Sequence, residues 1–160
     1  MEITIGMKGQ VSTVVEREDT ALEVGSGNLL VYATPCMVAL MEGAACEAIS
    51  AVLPEDKTSV GIELNVAHQS ATPVGLEVSA EAEVIAVDGS IITFQLTAYD
   101  EAGKIGEGTH KRAVINTQRF LDKAYSKKAA AKAAAAAEEA PKKRTRKRAA
   151  KAEETPAENN

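Results

Sequence analysis

Thr34, Glu42 and His68 supply a hydroxyl, a carboxylate and an imidazole, the side-chain types that together activate water or a nucleophile against a carbonyl carbon. Thr34-Pro35 reads as a helix start, since threonine is a good N-cap and proline suits the first helical position, where its missing N–H is no loss. The stretch Pro35 to Leu53 is apolar for most of its length and is closed by Pro54. Glu42 lies inside it, and carboxylates are rarely buried unless paired or functional. At roughly 100° per residue, Glu42 falls at the margin of the apolar arc made by Met37, Met41, Ala44, Ala45 and Ile49. Glu47 falls on the opposite side with Cys36 and Gly43. His68 ends the alternation Ile62, Leu64, Val66, whose apolar side is expected to face the same helix.

Each residue also has a purely structural reading. Thr34 can be only a cap worth ~1 kcal/mol, Glu42 a rim carboxylate, and His68 a strand-end histidine. Their convergence on one helix end favours a hydrolytic site. His110 alternates with Gly108 and Arg112 on a strand of unfixed orientation, and its structural reading leads.

The elements that must position these groups follow from local patterns. Ile3 to Val15 is weakly strand-like, Glu16 to Asp19 reads as a turn, and Gly25-Ser26-Gly27-Asn28 links into the apolar run Leu29 to Tyr32. After the helix come four strand candidates: Ser59 to His68, Leu76 to Val87, Ile91 to Tyr99 and Lys104 to Ile115. Asp88-Gly89 signals a tight hairpin, and Asp100 to Gly103 joins the last pair. One long apolar helix followed by long antiparallel strands predicts an α+β layer architecture, the sheet curled around the helix. A helix apolar on most sides needs further cover, which dimerisation would supply.

With 160 residues the chain is long enough for one ordinary domain. Charge divides it unevenly: Lys127 to Asn160 holds ten Lys/Arg against five Asp/Glu, while Met1 to Ser126 holds eight against eighteen. The first segment is therefore a basic tail of net +5, and the second an acidic body of net −10. The tail has an Ala-rich run with no apolar face to dock, then the cluster Lys142 to Arg148, and is expected to be largely disordered. Met1-Glu2-Ile3-Thr4 carries no basic region followed by a long apolar run, and no stretch approaches the ~20 apolar residues of a membrane span, so a cytoplasmic protein without membrane contact is expected. Cys36 and Cys46, ~15 Å apart along one helix, are too distant for a disulfide and read as small core residues. Two Cys and two His without CxxC or HxxxH spacing argue against a zinc site.

Three separated segments carry a family resemblance: Ala33-Thr34-Pro35-Cys36-Met37-Val38-Ala39-Leu40-Met41-Glu42, then Val66-Ala67-His68-Gln69-Ser70-Ala71-Thr72-Pro73-Val74-Gly75, then Gly106-Glu107-Gly108-Thr109-His110-Lys111-Arg112-Ala113-Val114-Ile115. In order and spacing they resemble the hot-dog-fold thioesterases of the fluoroacetyl-CoA thioesterase type, over most of Met1 to Ala124. The resemblance implies a curled sheet around one helix, two subunits pairing their sheets, and sites at the interface. It implies that Thr34, Glu42 and His68 match the catalytic residues and that Gly61 and Arg112 lie near the acyl group. The substrate would be an acyl-CoA thioester, with no metal or redox cofactor required, and the assembly a homodimer or a dimer of dimers. The fluoroacetyl-specific enzyme has a Phe-bearing lid before its catalytic Thr. Gly27-Asn28-Leu29-Leu30-Val31-Tyr32 stands here instead, so a small or general acyl-CoA is expected.

The expected chemistry places the thioester carbonyl at the helix N-terminus, where each free backbone N–H is worth ~3 kcal/mol of barrier. Glu42 acts as nucleophile through a mixed anhydride or as general base on water. His68 positions the thioester or assists proton transfer to the leaving thiolate, and Thr34 holds Glu42 or water. Coenzyme A is polyanionic, so the acidic body needs a local basic patch, for which Lys111, Arg112 and Arg119 are candidates. Two alternatives remain: a non-catalytic acyl-CoA-binding protein, and polyanion or nucleic-acid binding through the basic tail.

Overall fold

The structure, a computed structural model, describes residues 2–139, with side chains to residue 135. It divides into a compact unit ending at Asp122 and a second unit beginning at Lys123. The first holds β1 (Lys8–Val14), a single 3-10 turn (Arg17–Asp19), α1 (Thr34–Ser50), β2 (Lys57–His68), β3 (Glu77–Asp88), β4 (Ile91–Asp100) and β5 (Gly103–Asn116). From Thr117 to Glu139 the chain forms α2.

All five strands join one antiparallel sheet in the order β1-β3-β4-β5-β2, so β2 is an edge. α1 lies against β1, β2, β3 and β4. Its buried residues Met37, Met41, Ala44, Ala45, Ala48 and Ile49 include the whole expected apolar arc, and they meet Val78, Val84, Phe94 and Leu96 from the sheet in one core. Burying side chains of this kind is worth ~1.5–3 kcal/mol each, which fixes the helix over the sheet. β1 approaches α1 so closely that a Cβ at Gly9 would collide with the Ala44 carbonyl and the Ala48 amide. Only glycine fits there.

Several expectations are corrected. α1 begins at Thr34 rather than after it, so the N-cap is Ala33, which has no side-chain oxygen to cap with, and the Thr34 hydroxyl pairs with His68 instead. Cys46 is exposed and Cys36 only partly buried, since the helix turns its Glu47 side away from the sheet. Ile62 is 54% exposed. The β2–β5 register shifts between Gly61 and Glu63, so Ile62 is an extra bulge residue that leaves both Gly61 and Leu64 on the inner face. The β3–β4 hairpin pairs Asp88 with Ile91, putting Gly89-Ser90 in the turn, one residue beyond the Asp88-Gly89 signal.

The tail was expected to be largely disordered from Lys127 onward, but residues 127–139 continue α2. Alanine and lysine have high helix propensity, which favours this continuation. The Lys142–Arg148 cluster lies outside the described residues. No helix among the described residues is long and apolar enough to cross a membrane.

Candidate active site

The polar residues singled out by sequence form two clusters along α1. At its first turn, Thr34 Oγ1 and His68 Nδ1 are 2.9 Å apart. β2 delivers His68 there because its inner face, resumed after the bulge, runs Leu64, Val66, His68. His68 Nε2 is buried and has no hydrogen-bond partner among the described residues. Buried ring nitrogens of this kind are normally hydrogen-bonded, so Nε2 is the polar atom of His68 that the contacts within the chain do not use. The pair opens on a cavity of about 280 Å³ also lined by Ala21, Ser26, Val31 and Tyr32. Burial, reinforced by Cys36 and Asp19, pushes the Tyr32 phenol well above its ordinary value and keeps it protonated. No side chain caps α1, which leaves first-turn N–H groups for another acceptor.

The second cluster surrounds Glu42, eight residues and therefore ~12 Å further along the helix. Its Oε1 lies 3.2 Å from His110 Nε2 and 3.4 Å from Arg112 Nη1. His110 and Arg112 are adjacent inward positions of β5, 1% and 6% exposed, whereas the Glu42 side chain is 40% exposed. Arg112 is locked from β2: Nε donates to Ser59 Oγ and Nη2 to the Ser59 carbonyl, both at 2.9 Å. A guanidinium held by such charge-assisted bonds is a fixed counter-charge rather than a mobile one. A Cβ at Gly61 would collide with Glu42 Oε1, so glycine makes the room in which the carboxylate sits. A cavity of about 230 Å³ adjoins the cluster, lined by Val38, Glu42, Gly61, Ile62, Glu63, Leu64 and His110.

Thus Thr34 and His68 meet, and Glu42, Gly61 and Arg112 meet, yet no hydrogen bond or ion pair joins Glu42 to His68 within the chain. The Thr34 hydroxyl serves His68 rather than Glu42. The expected basic patch is also altered. Arg112 is interior, Lys111 Nζ is paired with Glu63 at 2.9 Å, and only Arg119 remains exposed. Sequence reasoning left His110 as a structural histidine. The available signal was its two-residue spacing from Arg112, which puts both on one face of a strand.

A curled antiparallel sheet around one long helix, with polar residues gathered along the helix and the strands beside it, defines a hot-dog protein of the thioesterase class. The chain belongs to the family described as fluoroacetyl-CoA-specific thioesterase, which it matches over residues 15–118. It is 40% identical over 100 residues to a fluoroacetyl-CoA thioesterase of Streptantibioticus cattleyicolor, covering 62% of this chain and 72% of that protein. A solved structure of the fluoroacetyl-CoA thioesterase FlK superposes with a TM-score of 0.75 at 32% identity, covering 79% of this chain and 98% of that one. A Thermus thermophilus protein described as a thioesterase superfamily member gives 0.77 at 26% identity, over 82% and 98%.

Proposed function

We propose that this protein is an acyl-CoA thioesterase working as a homodimer, with Thr34, Glu42 and His68 catalytic and Gly61 and Arg112 beside the acyl group. The observation that carries the reading is the Thr34–His68 pair at the uncapped start of α1, with the buried, unpartnered His68 Nε2. The thioester carbonyl oxygen takes the first-turn N–H groups, which stabilise the developing oxyanion. Glu42 acts on the acyl carbon, directly or by removing a proton from water. Either way the C–S bond breaks, water supplies the new oxygen of the free acid, and the thiolate leaves as the CoA thiol with a proton relayed past His68.

Dimerisation is part of the proposal because one protomer keeps Glu42 and His68 in separate clusters. The 12-residue strand β2 is an edge, exposes Ile62, and borders both cavities, so pairing along it brings a second α1 beside the first. We assign Glu42 of one subunit and the Thr34–His68 pair of the other to the same thioester.

Thiol release from a panel of short acyl-CoAs tests the activity, with loss of turnover expected in Glu42→Ala. Release no faster than buffer across the panel would refute it. Mixed dimers test the assignment: His68→Ala and Glu42→Ala chains, each inactive alone, regain activity together when one thioester draws on both subunits. Inactive hybrids would place the whole site in one chain.

A further inference from the structure

We infer that His110 is a positioning residue that, with Arg112, clamps Glu42 by one carboxylate oxygen and leaves the other free to react. This inference rests on the proposed thioesterase activity and extends it to a residue outside the catalytic set.

The ring is fixed on each side. A carbonyl can only accept, so the 2.8 Å contact between His110 Nδ1 and the Glu63 carbonyl places a proton on Nδ1. Phe94, itself fully buried, packs at a ring-centroid distance of 6.4 Å, and the ring is 1% exposed. What remains is Nε2, which lies 3.1 Å from Arg112 Nη1 and 3.2 Å from Glu42 Oε1. Arg112 Nη1 in turn lies 3.4 Å from that same oxygen. The three atoms close a triangle, and every contact of the carboxylate in it is made through Oε1.

This geometry divides the work of the two oxygens. Oε1 is held by a guanidinium that two bonds to Ser59 prevent from turning. His110 holds the third side of the triangle: with Nδ1 protonated, neutral Nε2 accepts from Arg112 and steers that N–H group against Oε1, while a doubly protonated ring donates to Oε1 itself. In both states the carboxylate is pinned on one side. Among the described residues no hydrogen bond or ion pair engages Oε2, and Glu42, its side chain 40% exposed, lines the neighbouring cavity. A group whose position is over-determined in this way reaches its near-attack geometry without reorganisation, and a displacement of about 1 Å costs roughly a hundredfold in rate. His110 acts through Glu42 and touches no reacting atom, so its removal lowers kcat and leaves KM in place.

The test compares kcat and KM for acyl-CoA hydrolysis in the full chain, His110→Asn, His110→Gln, Glu42→Gln and the two His110 variants combined with Glu42→Gln. Asparagine reproduces the donor toward the Glu63 carbonyl but ends short of Nε2; the longer glutamine amide reaches toward it. We expect His110→Asn to lose about 30- to 100-fold in kcat with KM within threefold, and His110→Gln to recover at least fivefold of that loss. In the Glu42→Gln background the same substitutions change residual turnover by less than threefold, because the residue they act through is already gone. If His110→Asn does not fold, His110→Ala takes its place, with the same expected loss and the same recovery by glutamine. A kcat of the asparagine or alanine variant within threefold of wild type, a loss confined to KM, or equal losses with and without Glu42 would overturn the inference. Failure of the wild-type chain to hydrolyse any acyl-CoA would instead refute the thioesterase reading.

Discussion

Gly61→Ala adds a single carbon where β2 passes the acid, and its effect can be worked out from the contacts. The new Cβ lands on Glu42 Oε1 and 2.9 Å from His110 Cε1, whereas an ordinary contact begins at 3.4 Å, so the ring or the strand has to yield by at least 0.5 Å and the carboxylate by more. His110 has no room, being 1% exposed and backed by Phe94. Glu42 has room, because its side chain is 40% exposed. The carboxylate therefore swings outward, away from His110 and Arg112. A shift on the order of 1 Å in a catalytic group costs roughly 10²-fold, so kcat/KM should fall about a hundredfold, or ~2.7 kcal/mol of barrier. Stability should fall by only ~1 kcal/mol, the low end for overpacking, since the displaced group escapes to solvent. Steady-state thiol release and thermal unfolding of the same preparations read both quantities. A variant whose kcat/KM stays within threefold of wild type would show that the carboxylate does not work from this position.

Two further outcomes follow from local chemistry. Burial, with a smaller contribution from Asp19, raises the Cys36 thiol above its ordinary value and reduces its thiolate fraction near neutral pH, while Cys46 lies exposed. Iodoacetamide should therefore label Cys46 first, with Cys36 labelling rising as pH increases; equal rates by peptide mass mapping at pH 7.5 would contradict this. Removing Lys127 to Asn160 should leave kcat/KM within twofold of the full chain, because every site residue lies in the first unit and the family match ends at residue 118. A larger loss would assign the basic segment a part in catalysis.

The legible parts of the molecule were those where side-chain periodicity and burial coincide. Met37, Met41, Ala44, Ala45 and Ile49 announced the buried face of α1, and alternation marked β3 and β4 to within a residue, whereas the helix stops at Ser50, three residues short of the Leu53 end that Pro54 suggested. Glu42 and His68 stood out because each interrupts or ends an apolar pattern. The inner face of β5 was concealed because Gly106, Gly108, His110 and Arg112 face inward where apolar residues are the usual signal. The burial of His110 and Arg112 depends on partners contributed by Ser59, Gly61 and Glu63, some 50 residues earlier, a pairing that periodicity cannot reveal. Thr34 had two acceptable uses for its hydroxyl, and only the arrival of His68 decides between them. An inserted bulge residue likewise leaves no mark in composition, so Ile62 looked like part of a continuous apolar row.

That one unpaired residue acts as a phase shifter in β2. Upstream, odd-numbered positions turn Ser59 and Gly61 toward the arginine and the acid; downstream, even-numbered positions turn Leu64, Val66 and His68 inward. Excising Ile62 would merge the two reading phases, so that one end of the strand must present the wrong side. The seat of the guanidinium and the imidazole at the helix start are thus kept in step by a single spacer, and neither can be re-registered without disturbing the other.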